Sequence, residues 1–233
     1  MVEIIAEIGQ NHNGDMGLAK ELIHIAKDNG ADVAKFQVFD ARSLFSKDGN
    51  PWYDYNCRTE LTRDQVNFLA EECRKTGIEF MASVFDIERI RWTEDIGVKR
   101  YKVASRSITD IKLLQALAMT SKPLIISLGF WQEKEFPKIA AQQPVSFLYC
   151  ISKYPTALHE VHLSRVDFKR YAGFSDHTLG VTAPIVAITR GARVIEKHLT
   201  LNKAMEGPDH ACSMAPDELK TICDFRREFE TCL

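Results

Sequence analysis

The chain has 233 residues, of which 45% are hydrophobic and 27% charged, with a formal net charge of −2. That length suits a sizeable core, the charge carries no basic footprint for nucleic acid, and no apolar run approaches the ~20 residues of a membrane span. The acidic, strand-like start Met1-Val-Glu-Ile-Ile-Ala-Glu7 is unlike a secretion signal, and six cysteines without a Cys-x-x-Cys pair are expected as free thiols in a reducing cytoplasm.

Apolar runs alternate with amphipathic stretches along the chain. A first strand is expected at Ile4 to Ile8, followed by a helix from Met16 to Asn29 that Gly30 stops. The second strand, Val33 to Val38, carries Lys35 and Gln37; the polar stretch Phe39 to Leu61 after it reads as a long loop covering a site. Thr62 is placed to cap a helix from Arg63 to Thr76, with Gln65 as its capping-box partner. Strands follow at Glu79 to Ala82, Arg100 to Val103, Leu124 to Ser127, Ser146 to Cys150, Ala172 to Phe174 and Arg193 to Glu196. The intervening helices are expected from Asp86 to Asp95, Asp110 to Met119, Glu133 to Ala141 (interrupted by Pro137), Val161 to Arg170 and Leu179 to Thr189, with a closing helix from Pro216 to Glu230. Eight strand–helix units with nearly continuous apolar strands point to an α/β fold, a closed (β/α)8 TIM barrel spanning residues 1–233 as one catalytic domain.

In such a barrel the site lies at the C-terminal ends of the strands. Polar residues gather there: Glu7, Lys35, Gln37, Ser83, Lys102, Ser105, Ser127, Ser152, His177 and His198. His177 and His198 end adjacent strands, where two imidazoles either hold a divalent ion with open positions or hydrogen-bond within the core; spacing leaves both open. Asp176 and Glu196 are candidates to orient them. Lys35, Lys102 and Lys197, with the serine hydroxyls, describe a pocket for phosphate or carboxylate, unless the lysines snorkel to the rim and pair with Glu7 and Glu196. Glu7, Tyr154 and Asp209 are candidates for sugar hydroxyls or proton transfer.

Six segments, Ala6 to Gly14, Lys35 to Gln37, Cys150 to Thr156, Phe174 to Thr178, Ile195 to His198 and Gly207 to His210, jointly resemble the sialic acid synthase family in order and spacing. The resemblance implies a (β/α)8 barrel that condenses phosphoenolpyruvate with N-acetylmannosamine or a related aldose, giving a nonulosonic acid and phosphate. It implies His177 and His198 as ligands of manganese or magnesium, and Lys35, Ser83, Lys102, Ser105, Ser127 and Ser152 as the phosphoenolpyruvate side. Glu7, Gln37, Tyr154, Glu196 and Asp209 fall on the sugar side, with Glu7, Lys35, Tyr154 and Asp209 in catalytic roles. It also implies a tendency to form a homodimer.

Two features depart from the family pattern. Arg106-Ser107 stands where Gly-Glu is usual, which leaves a carboxylate role vacant, and Leu233 falls where family members continue into a small antifreeze-like domain. The competing readings are a non-catalytic barrel that binds a ligand or partner subunit, a synthase with another acceptor, and a metal-dependent aldolase using pyruvate.

Overall fold

The computed structural model describes residues 1–233. Eight strands run parallel: β1 (Glu3–Gly9), β2 (Val33–Val38), β3 (Glu79–Val84), β4 (Tyr101–Val103), β5 (Leu124–Ser127), β6 (Val145–Cys150), β7 (Gly173–Asp176) and β8 (Val194–His198). They pair in sequence order, and β8 closes on β1 with Glu7 opposite His198.

The alternation of side chains along a strand explains what the barrel contains. Outward residues such as Ile4, Ala6, Ile8, Phe36, Val38 and Ile126 join a core of 47 buried residues beneath the helices. Inward, a layer of Ile5, Val33, Met81, Ile125, Leu148 and Ala172 plugs the barrel floor, with Val194 packed against it. Two residues further along, the same inward face carries Glu7, Lys35, Ser83, Ser127, Cys150 and Glu196, all buried. One strand pleat therefore separates an apolar floor from a ring of ionisable and hydroxyl groups.

Glycines bring this ring together at two points. The register of β1 against β2 slips between Glu7 and Gly9. Gly9 has φ +55, and a Cβ there would lie 3.2–3.3 Å from Gln37, Glu7 and His198, so a side chain is disfavoured by backbone and space alike. A Cβ at Gly129 would meet the hydroxyls of both Ser105 and Ser152 closer than real Cβ atoms sit, so its absence lets those hydroxyls converge.

Outside the barrel, α1 (Met16–Asp28) is capped by Asp15, whose carboxylate accepts from Gly17 N and Leu18 N. The stretch expected as one long loop contains two short helices, α2 (Ala41–Leu44), capped by Asp40, and α3 (Tyr53–Thr59). Next comes α4 (Arg63–Thr76) with the expected reciprocal capping box: Thr62 accepts from Gln65 N at 3.3 Å and Thr62 N donates to the Gln65 side chain at 2.9 Å. The remaining helices are α5 (Ile87–Ile96), α6 (Ile111–Ala118), α7 (Thr182–Thr189) and α8 (Pro216–Thr231).

Two expected helices do not form. Glu133 to Ala141 is irregular: Pro137 lacks the N–H a helix needs. Phe136 instead packs at an angle against Phe147 and edge-on to Tyr171, with centroids 4.8 and 4.7 Å away. Val161 to Arg170 holds only the short 3-10 turn Leu163–Arg165, which follows another at Leu158–Glu160, and His162 between them has φ +43, outside the helical region. The eight-unit pattern is thus met by eight strands, while β5–β6 and β6–β7 are joined without an α-helix. No helix is long and apolar enough to cross a membrane.

Candidate active site

The inner ring is a network of opposed charges. Lys35 and Lys102 are each 2% exposed, and Glu7 and Glu196 are 3% and 6% exposed. Lys35 Nζ donates to Ser83 Oγ at 2.9 Å and lies 2.6 Å from Glu7 Oε2 and 3.4 Å from Glu196 Oε2. Lys102 Nζ donates to Val103 O at 2.9 Å and lies 3.6 Å from Glu196 Oε1, which accepts from Ser175 Oγ at 2.8 Å. Gln37 Nε2 donates to Glu7 Oε1 at 3.1 Å.

Burial opposes charge on each of these groups, and the neighbours decide the outcome. For Glu196, Lys102 and Lys35 outweigh burial and hold the carboxyl at about 2. For Lys35, burial pulls downward, but Glu196 and Glu7 keep the ammonium above the ordinary lysine value. Lys102 is pulled below it, chiefly by burial, with Lys35 adding repulsion. An arriving anion would add counter-charge beside Lys102, so this ring suits phosphate or carboxylate. Ser127 Oγ, 2% exposed as a residue, has no hydrogen-bond partner, whereas Glu7 Oε2 and Glu196 Oε2 are met by the Lys35 ammonium at 2.6 and 3.4 Å. An unpartnered buried hydroxyl of this kind calls for a ligand. Cys150, also in the ring, is pushed up to about 11 by burial and stays a thiol rather than a nucleophilic thiolate.

Above the ring stand the two histidines, with centroids 5.9 Å apart and rings tilted by 40°. Tyr154 packs against both, 4.1 Å from His177 and 6.4 Å from His198. His177 Nδ1 lies 2.9 Å from Ile151 O; a carbonyl only accepts, so Nδ1 carries the proton and Nε2 keeps its lone pair. Burial, reinforced by His198, lowers His177 to about 3, so it is a neutral potential ligand across the physiological range. His198 Nδ1 is buried without a partner. A neutral imidazole and a second imidazole with an orphaned ring nitrogen, both lining the recess, fit a divalent ion. No cluster of three or more His, Cys, Asp or Glu side chains forms a cage, so the pair leaves open positions for water or substrate oxygen.

The ring recess, about 50 Å³, shares Gln37, Ala104, Ser105, Tyr154 and His198 with an outer pocket of about 410 Å³. Gln10, Asn56, Trp52, Phe45, Ser152, Arg106 and Asp209 also line that outer pocket. Its wall is tied together behind the surface. Tyr55 of α3 donates to Asn13 Oδ1 at 2.7 Å and also lies 3.0 Å from Gln10 O; Thr59 Oγ1 lies 2.6 Å from Gln10 Oε1. His210 Nε2 reaches the same Asn13 Oδ1 at 2.9 Å, while its Nδ1 meets Thr200 Oγ1 at 2.7 Å. Ser213 Oγ donates to Asp209 O at 2.7 Å. The covering segment, the β1 loop and the β8 loop are thereby joined by one buried polar chain.

The structure brings together Glu7, Lys35, Gln37, Ser83, Lys102, Ser105, Ser127, Tyr154, Glu196, His177 and His198 around the recess, with Ser152 and Asp209 in the outer pocket. Lys197 does not join them. It points out of the barrel and is bound 2.6 Å from Asp176 Oδ2, because Lys197 and Glu196 lie on opposite faces of one strand. Asp176 therefore serves Lys197 and Thr178 rather than an imidazole, and Glu196 serves lysines and Ser175; the imidazole anchor is the Ile151 carbonyl. Ser107 is buried in a 3-10 turn and lines neither cavity. Cys150 and Ser175 were missed as ring members, although period-2 counting along β6 would have flagged Cys150 two residues past Leu148.

Comparisons with known proteins give the family and the fold. The profile of the NeuB family matches residues 22–233. The chain is 38% identical over 258 residues to the N,N'-diacetyllegionaminic acid synthase of Legionella pneumophila, covering 99% of this chain and 72% of that one. It is 32% identical over 246 residues to the pseudaminic acid synthase of Helicobacter pylori, covering 95% and 72%. The crystal structure of the N-acetylneuraminic acid synthetase of Leptospira borgpetersenii superposes with a TM-score of 0.90 at 29% identity, over 99% of this chain and 84% of that one. This chain belongs to the NeuB family.

Proposed function

We propose that this protein condenses phosphoenolpyruvate with an open-chain aldose of the N-acetylmannosamine kind, forming a nonulosonic acid and inorganic phosphate. The relatives named as legionaminic and pseudaminic acid synthases support the reaction class. The observation that carries the reading is the lysine- and serine-lined recess opening directly beneath the two histidines.

Lys35 and Lys102 neutralise the phosphate and carboxylate of phosphoenolpyruvate, and Ser83, Ser105, Ser127 and Ser152 supply hydroxyl contacts. His177 and His198 would hold manganese or magnesium, and that ion, when bound, supplies Lewis acidity to the acceptor aldehyde. Gln37, Asp209 and the Tyr154 hydroxyl orient the sugar. The Tyr154 phenol, half exposed at the mouth of the recess, stays protonated at neutral pH as an ordinary tyrosine does and acts as a donor. C3 of the enolpyruvate bonds to the aldehyde carbon, the new alkoxide takes a proton from solvent, water adds at C2 with loss of one proton, and the C2–O bond to phosphate then breaks as the C2 hydroxyl gives up its proton and becomes the ketone. Glu7 is the carboxylate that accepts the proton from that water, and Glu196 keeps the two ammonium groups apart and charged.

The test is phosphate release from phosphoenolpyruvate with manganese and a panel of aldoses, alongside mass detection of the product. The reading expects one phosphate per new carbon–carbon bond. Product formed from pyruvate without phosphate release refutes it in favour of an aldolase.

A further inference from the structure

We propose that Arg106 is the acceptor-recognising cation of the outer pocket, and that the preferred aldose carries an anionic group, a phosphate monoester or a carboxylate, remote from its aldehyde. This rests on the synthase reading above and adds the class of acceptor.

Among the 16 residues lining the outer pocket, Arg106 is the one lysine or arginine. Its guanidinium carbon sits 4.8 Å over the Phe45 ring, which fixes the plane of the group. Its protein hydrogen bond, from Nη2 to Leu44 O, is long at 3.4 Å. A guanidinium carries five N–H donors in a fixed fork suited to two acceptor oxygens, and Arg106, exposed at the pocket rim, commits one of them to protein, leaving the others to water or a ligand. The buried cations behave otherwise: Lys35 and Lys102 are both engaged by Glu196, and Lys197 by Asp176.

The position of Arg106 sets which part of a ligand it meets. Ser105 turns its hydroxyl into the site, where it accepts from Phe130 N at 2.7 Å, and Ser107 is buried on the other side of the same turn. The side chain between them therefore leaves at the rim, toward Leu44 and Phe45 of the covering segment, rather than down the barrel axis. The two anionic groups of phosphoenolpyruvate are already met by Lys35 and Lys102 in the recess. The pocket that contains Arg106 also contains His198, and its 410 Å³ lies within the ~300–1,000 Å³ of small-molecule sites. An acceptor with its aldehyde at the histidines thus extends toward Arg106 with its far end. Asp209, the one carboxylate in the lining, forms no ion pair with Arg106 and repels an anion, which gives the pocket a polarity for orienting the chain.

The experiment compares kcat/KM for a neutral N-acetylated aldose, its terminal phosphate ester and its terminal carboxylate, in the wild-type protein and in Arg106→Gln, with manganese and phosphoenolpyruvate. An anionic acceptor should be preferred by roughly 10- to 100-fold, the range of one or two charge-assisted hydrogen bonds. Arg106→Gln should erase that preference through the acceptor KM while leaving the KM for phosphoenolpyruvate unchanged. The phosphate and carboxylate arms identify which anion is read. Wild-type preference for the neutral aldose, or a variant that raises the phosphoenolpyruvate KM instead, overturns the proposal. If no aldose turns over, the synthase reading falls, and calorimetric titration with the aldose phosphate decides Arg106 separately: binding lost in Arg106→Gln supports it, binding unchanged or absent overturns it.

Discussion

Replacing Glu196 with glutamine tests the electrostatic design of the recess. Glu196 is 6% exposed, accepts from Ser175, and lies 3.4 and 3.6 Å from two buried ammonium groups. Lys102 and Lys35 hold its carboxyl at about 2 against an ordinary 4.5, and at about 1.4 kcal/mol per pH unit this is roughly 3 kcal/mol of folded-state stabilisation. That agrees with the ~3–5 kcal/mol expected for breaking a buried ion pair from one side. A carboxyl lowered on folding contributes its stability above the unfolded value of 4.5 and loses it as pH falls toward 2. Urea unfolding of Glu196→Gln should therefore show a loss of about 3 kcal/mol at pH 7 that narrows below pH 4.5. The variant also leaves Lys35 and Lys102 with one fewer counter-charge, so phosphoenolpyruvate should raise its melting temperature more than that of the wild type. Equal stability at pH 7, or no stabilisation by phosphoenolpyruvate in either protein, refutes the reasoning.

Three further outcomes follow from the same geometry. His198→Ala should lower bound manganese, read by elemental analysis after dialysis, from one ion per chain to none and abolish turnover; unchanged stoichiometry removes His198 from the ligand set. Tyr55→Phe deletes the hydroxyl that joins α3 to Asn13 and Gln10 and should raise the acceptor KM roughly 5- to 30-fold for about 1–2 kcal/mol lost, with the phosphoenolpyruvate KM unmoved. His12, fully buried and lowered by burial to about 4 from 6.5, stays neutral in the fold while the unfolded chain takes up a proton first on acidification. Its contribution is thus present above pH 6.5 and lost between pH 6.5 and 4. Urea unfolding at pH 7 and pH 5 should show that loss, and His12→Gln should flatten it; an identical slope in the variant contradicts the assignment.

Much of this was legible from residue order because the barrel reuses one rule. Apolar runs ending in Glu7, Lys35, Ser127 and His198 announced strands that open on a site, and each strand was found within a few residues of its expected bounds. The same pleat rule, applied residue by residue, would have excluded Lys197: three consecutive ionisable residues at 196–198 cannot share a face, and only Glu196 and His198 do. The helix after β5 was misread because apolar residues at Phe136, Ile139 and Ala141 look amphipathic, while Pro137 removes a donor and aromatic packing on Phe147 and Tyr171 satisfies the segment in an irregular form. The polar chain through Tyr55, Asn13, His210 and Thr200 joins residues up to 197 positions apart, and no local pattern signals such a contact.

A crystal of this protein soaked with manganese and phosphoenolpyruvate and measured at the manganese absorption edge tests the central claim most directly. The account predicts one anomalous peak bridging His177 and His198, with the enol phosphate below it on Lys35, Lys102 and the serine hydroxyls. A peak elsewhere, or phosphoenolpyruvate bound away from the two lysines, contradicts it.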